Sequence, residues 1–169
     1  MKKLFISIYL FSFLAYGQNN DSLNCDNWIE SKTDKMTGKV TTAAKKTLIV
    51  SSDDGKTGIG ITMIESARNE IIMLIQAVGA SSCINEGENI NILFTNGSRL
   101  ELKNNISFNC KGESTIYFGG LFGKKKEIKE LMEKKIQTMR VWTSDGYVER
   151  DFSIDNQNEF KNVLNCLMK

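Results

Sequence analysis

The 169-residue chain contains no histidine and no proline. Without histidine there is no imidazole acid or base. Ser-His-Asp and Cys-His nucleophile pairs and His-ligated zinc or haem are therefore excluded. Without proline there is no X-Pro bond whose slow isomerisation could limit folding. Cysteine is sparse: there are four, and no two have C-x-x-C spacing, so that metal signature is missing. Repeats, Pro-rich tracts and Gly/Ser-rich linkers are absent after residue 17, and no second long apolar run occurs. One β-rich domain over residues 18–169 is the simplest organisation. It is long enough to bury a core without metals.

The N-terminus carries the one long apolar run. Lys2 and Lys3 form a positive head, residues 4–16 are apolar apart from two serines, and Ala15 and Gly17 are small and stand two apart. This is the pattern of a secretory signal peptide, with cleavage expected after Gly17. The run is shorter than the roughly 20 residues a membrane-crossing helix needs. The chain after the cut is therefore expected to be secreted or periplasmic, with no membrane span. Of the 22 Lys+Arg, Lys2 and Lys3 lie in this leader, and none of the 20 Asp+Glu does, so the rest is formally neutral. Nothing global points to nucleic acid or an anionic membrane.

For an exported chain, Cys25, Cys83, Cys110 and Cys166 read as two disulfides. A hairpin helps choose between the three connectivities. Ile90, Ile92 and Phe94 alternate, as do Leu100 and Leu102, around Asn96-Gly97. A two-residue loop would set Ile92 against Glu101 and Phe94 against Arg99. A three-residue loop, Thr95-Asn96-Gly97, sets Ile92 against Leu100 and Ile90 against Leu102, leaving one apolar face. That register, extended outward, brings Cys83 nearly opposite Cys110. By elimination Cys25 pairs with Cys166.

The remaining pattern is α+β, a mainly antiparallel sheet or sandwich with two helices. Strands are expected over 45–51 and 57–65 around Asp53-Asp54-Gly55. The apolar run 71–78 reads as a central strand buried on both faces; a helix over 64–78 also fits its spacing. A short strand covers 114–118. Helices are expected over about 124–135 and 156–168, the second starting at an Asn156/Glu159 capping box. Residues 136–143 and 147–154 form another hairpin around Asp145-Gly146, whose pattern leaves the register open; a two-residue loop there would pair Arg140 with Asp151 and Met139 with Phe152.

No motif carries a recognisable chemistry. Gly55-Lys56-Thr57 lacks the earlier glycine of a phosphate loop, since position 50 is Val; it reads as a turn. The lysines at 124–126, 129, 134 and 135 interleave with Glu127, Glu130 and Glu133, the pattern of a solvated helix face. Asp53/Asp54 and Glu149/Asp151 are the carboxylate pairs a His-independent hydrolase would need. Asn96 and Asn105 head sequons that matter only in a eukaryotic secretory pathway. Trp28, Trp142 and Tyr147 are candidate partner contacts, because such rings are enriched at binding hot spots. No cofactor or metal is expected.

The Ala-Tyr-Gly-Gln leader end, "DKMTGK" at 34–39, the 83–110 pattern and the "MRV" strand before a Cys-bearing helix are similar to small exported proteins of unknown function from Gram-negative bacteria. The resemblance implies export and no chemistry. A non-enzymatic module binding a protein, envelope component or small ligand is the leading expectation. A hydrolase using paired carboxylates or a Ser/Lys pair, and an inhibitor or immunity-type partner of a secreted protein, are the alternatives.

Overall fold

The computed structural model describes residues 23–66, 70–79, 83–119 and 123–169. The expected leader and its cut after Gly17 lie outside them. The architecture is α+β and mostly β. After a 3-10 turn, Cys25–Asn27, come β1 (Ile29–Thr33), β2 (Val40–Ala44), β3 (Leu48–Ser51), β4 (Gly58–Glu65) and β5 (Ile71–Val78). Then follow β6 (Asn89–Phe94), β7 (Arg99–Lys103), β8 (Glu113–Phe118), α1 (Lys125–Glu133), β9 (Ile136–Thr143), β10 (Gly146–Asp151) and α2 (Ile154–Leu167). A six-stranded antiparallel sheet runs β1-β2-β4-β5-β8 with β3 also on β4, and a four-stranded one runs β10-β9-β6-β7. Alternate residues of both sheets join the inner faces of both helices in one apolar cluster. It is centred on Ile61, Met73, Ile92, Phe94, Ile116, Leu131, Val141 and Leu164.

The β6–β7 hairpin has the register the apolar pattern requires. Ile92 faces Leu100, Ile90 faces Leu102, and Phe94 N donates to Ser98 O at 2.9 Å. Gly97 sits at φ +81°, closing the three-residue loop. Ile84 and Asn109 form a bridge at the open end, and both disulfides, Cys83–Cys110 and Cys25–Cys166, are formed. The first staples the hairpin's arms. The second ties the N-terminal turn to the buried side of α2.

Four expectations need correction. The 71–78 run is a strand, β5, and central, lying between β4 and β8, but only Ile71, Met73, Ile75 and Ala77 are buried; Leu74, Gln76 and Val78 are exposed. Its outward face is apolar without being covered. Next, the second hairpin turns at Ser144-Asp145, one residue earlier than expected. Arg140 therefore faces Glu149, and Val141 faces Val148. The Asp151 register would have set Val141 against Arg150 on the inner face, so apolar pairing again decides it. Helix α2 begins earlier, capped by Ser153, whose Oγ accepts from Asn156 N while Asn156 Oδ1 accepts from Ser153 N. Asn156 is thus the inner half of the capping box rather than its start. Last, α1 stops at Glu133, two residues short of Lys135, because Lys134 is already extended.

The β1–β2 hairpin carries no alternating apolar signal; β1 is largely exposed and β2 mostly half-buried, and neither has a fully buried residue. Its turn is held by Asp34, whose Oδ1 accepts from Met36 N and Thr37 N, each at 2.8 Å. The outer edge of β8 is closed differently. Residues Asn104, Asn105 and Asn109 lie along it in place of a strand. Thr115 N donates to Asn104 Oδ1, Tyr117 N to Asn105 Oδ1 and Glu113 N to Asn109 Oδ1, at 3.0, 3.2 and 3.1 Å. Three side-chain amides thereby blunt an edge that would otherwise accept another chain.

Candidate functional site

The outer face of the four-stranded sheet brings Trp142, Tyr147 and Arg140 together. Pairing registers arrange the side chains of this face in three rows across β7, β6, β9 and β10. These are Arg99–Leu93–Thr138–Asp151, Glu101–Asn91–Arg140–Glu149 and Lys103–Asn89–Trp142–Tyr147. Strand alternation places all twelve on one side, opposite the buried row of Ile90, Ile92, Met139, Val141 and Val148. A groove of about 680 Å³ runs over the first two rows, lined chiefly by Asn91, Leu93, Arg99, Glu101, Arg140 and Glu149.

Cross-strand contacts hold the rows rigid. Arg140 Nε and Nη2 both donate to Glu149 Oε2 at 2.6 Å. The same guanidinium lies over Tyr147, 4.2 Å from the ring centroid, and over Trp142 at 5.6 Å. Trp142 and Tyr147 meet edge to face, centroids 5.3 Å apart. Trp142 Nε1 donates to Asn91 Oδ1 at 2.6 Å, which fixes the indole. Thr138 Oγ1 donates to Asp151 Oδ1 at 2.6 Å. Tyr147 nonetheless stays 50% exposed. The result is a preorganised aromatic and guanidinium platform beside a groove, on strands rather than loops.

Trp142 and Tyr147, singled out in the sequence, therefore come together. Trp28 does not join them; it is half-buried beside Ile29 and packs against the core. Sequence reasoning missed Arg140 and Asn91. For Arg140 the signal was the second hairpin's apolar row, whose Val141–Val148 pairing sets it opposite Glu149; Asn91 lies on β6 and joins only through the β6–β9 pairing.

The acidic pairs are otherwise engaged. Glu149 is held by Arg140 and Asp151 by Thr138. Asp53 and Asp54 lie in an exposed turn, where the Ser52 hydroxyl and then the Lys56 amide lower the Asp54 pKa. The hydrogen bond from Lys134, which stands just past α1 over the Phe94 ring, lowers the Glu130 pKa. A general acid needs the opposite shift. Among the described residues no group of three His, Cys, Asp or Glu could hold a metal, and no helix is long and apolar enough to cross a membrane.

A second depression, of about 340 Å³, lies on the outer face of the six-stranded sheet over Gly60, between Thr62, Leu74, Gln76, Ile106 and Thr115. It has no aromatic side chain in its lining. No family model matches this sequence, and no curated protein or solved structure matches it significantly.

Proposed function

We propose that this chain is an exported, non-enzymatic module that docks a protein partner on the outer face of its four-stranded sheet. One observation carries the reading: Trp142 and Tyr147 interlock with Arg140, which itself lines a groove, and Tyr147 is half exposed. Trp, Tyr and Arg are the residue types that dominate binding energy in protein interfaces. The hydrogen bond and ion pair that fix them reduce the entropy lost on docking. Export is supported by the leader pattern of residues 1–17 and by the two disulfides, which persist in oxidising compartments. The missing histidine, and the engagement of Glu149 by Arg140 and of Asp151 by Thr138, favour binding over hydrolysis.

The test is native mass spectrometry of the non-reduced protein, purified gently from its own host, beside the Tyr147→Ala variant. A partner at fixed stoichiometry with the wild type, lost with Tyr147→Ala at unchanged disulfide content, is the expected result. A partner retained equally by both would overturn the proposed face.

A further inference from the structure

The docking face ends at β7, and among the described residues nothing pairs with its outer edge. β7 pairs with β6 alone. Phe94 N donates to Ser98 O, and Asn104 N to Glu88 O. Antiparallel alternation between these two bonded pairs makes Leu100 and Leu102 the residues bonded to β6. The N–H and C=O groups of Arg99, Glu101 and Lys103 therefore point away from the sheet, and they find no partner among the described residues. All three residues are exposed. The β8 and β10 edges are treated differently. β8 is closed by three asparagines. At β10 the Glu149 carbonyl accepts from the Arg150 guanidinium, which also reaches Thr57 O.

We propose that the partner adds an extended segment to β7 as a fifth strand, reading acid–apolar–base–apolar–acid. This rests on the docking face proposed above and specifies how that face is engaged. Residues directly opposite one another share a face of the sheet, and opposite charges there are favourable. An acid would then meet Arg99, a base Glu101 and an acid Lys103, on the same side as the Arg140–Tyr147 platform. The intervening side chains would lie beside Leu100 and Leu102, which are 9% and 2% exposed, and continue the core. The pattern is palindromic, so it serves either strand direction. Main-chain bonds supply the attachment and the alternating pockets the selectivity.

A second copy is the wrong occupant. Paired about Glu101, it would oppose Glu101 with Glu101 and Arg99 with Lys103. The registers that relieve this leave Arg99 or Lys103 outside the pairing. The charges that keep copies apart are thus the ones that select a differently patterned strand.

The experiment is an NMR titration of the disulfide-bonded chain with the peptide Glu-Val-Lys-Val-Glu and with its inverse, Lys-Val-Glu-Val-Lys. The first should slow amide exchange saturably at Arg99, Glu101 and Lys103, and the inverse should bind about tenfold more weakly. Glu101→Pro removes the outward N–H together with the carboxylate that accepts from Asn91, and should abolish the protection at Arg99 and Lys103. Should that variant misfold, Arg99→Glu with Glu101→Lys and Lys103→Glu should reverse the peptide preference. Equal binding of both peptides, no protection with either, or a wild-type dimer broken by Glu101→Pro would each overturn strand addition. If protection fails while partner capture still depends on Tyr147, strand addition falls and the docking face stands. If the edge takes the peptide while capture ignores Tyr147, the face falls.

Discussion

Asn104 stands in for a strand against Thr115. Its Oδ1 accepts from Thr115 N at 3.0 Å and from Ile106 N at 3.3 Å, while its Nδ2 donates to Asn85 O and Ile106 O, each at 2.9 Å. The residue is 1% exposed, so water cannot replace these bonds. Asn104→Ala should cost about 3 kcal/mol, because buried groups lose their partners and the side chain leaves a void. Urea unfolding measures it. Asn105→Ala, on the exposed side of the same edge, should cost less than 1 kcal/mol. Equal losses would mean that burial is not what gives Asn104 its weight.

Arg140 should be coupled directly to Glu149 and, separately, to Tyr147. The Arg140 and Glu149 side chains are partly exposed, at 35% and 39%, with two guanidinium nitrogens on one carboxylate oxygen. A double-mutant cycle with Arg140→Ala and Glu149→Ala should return about 1 kcal/mol at low salt and less in high salt. The stacking of Arg140 on Tyr147 adds a part that salt screens weakly, on the order of 0.5 kcal/mol. Comparing Arg140→Ala in Tyr147 and Tyr147→Ala backgrounds isolates it.

Much of this fold was legible because apolar alternation specifies register. Ile90, Ile92, Leu100 and Leu102 determined the first hairpin and, through it, the Cys83–Cys110 pairing. The second hairpin was misplaced by one residue because Asp145-Gly146 is a strong local turn signal. The Val141–Val148 pairing overrode it. The burial of β5 was misjudged because Leu74 and Val78 are as apolar as Met73. Composition does not say that this sheet face has no covering layer. The β1–β2 hairpin and the asparagine-closed edge were illegible, since polar strands and side-chain amide bonds leave no periodicity to read. The candidate site was half legible. Its two rings were visible, but Arg140 and Asn91 became part of it only through pairing across three strands.

Gly79 and Gly60 should respond oppositely to alanine. Gly79 has φ +90°, and a Cβ there would lie 2.2 Å from Lys56 O and 2.7 Å from Thr57 Cγ2. Gly79→Ala should cost about 2 kcal/mol or more. At Gly60 the nearest atom would be Thr47 Cγ2 at 3.4 Å, an ordinary contact. Gly60→Ala should change stability by less than about 1 kcal/mol, with a gain expected from the lower entropy of the unfolded chain. Thermal unfolding of both variants decides it.

The two disulfides should differ in weight. Cys25–Cys166 spans a sequence separation of 141 and Cys83–Cys110 one of 27. Loop-closure entropy puts their removal at about 5 and about 3.5 kcal/mol. Paired Cys→Ser variants, compared by urea midpoint, test the order. A larger loss at Cys83–Cys110 would show that holding the β8-edge segment matters more than closing the long loop.

Stability should be nearly flat across neutral pH and fall in acid. No histidine titrates between about pH 5 and 8. Folding lowers the pKa of Asp34 through the Thr37 and Met36 amides, of Asp54 through the Ser52 hydroxyl, and of Glu130 through Lys134. Folding thus favours their ionised forms. That contribution is fully present above the ordinary values of 3.8 for Asp and 4.5 for Glu, and is lost as pH falls through the lowered ones. Lys124 behaves inversely: burial lowers its pKa, so folding disfavours its charged form and stability gains as pH rises through the lowered value. Urea midpoints measured from acid to alkaline pH should trace this shape. Asp34→Asn should lower the neutral plateau and flatten the acid limb. A variant with the same acid limb as the wild type would show that the Asp34 turn contributes nothing to acid sensitivity.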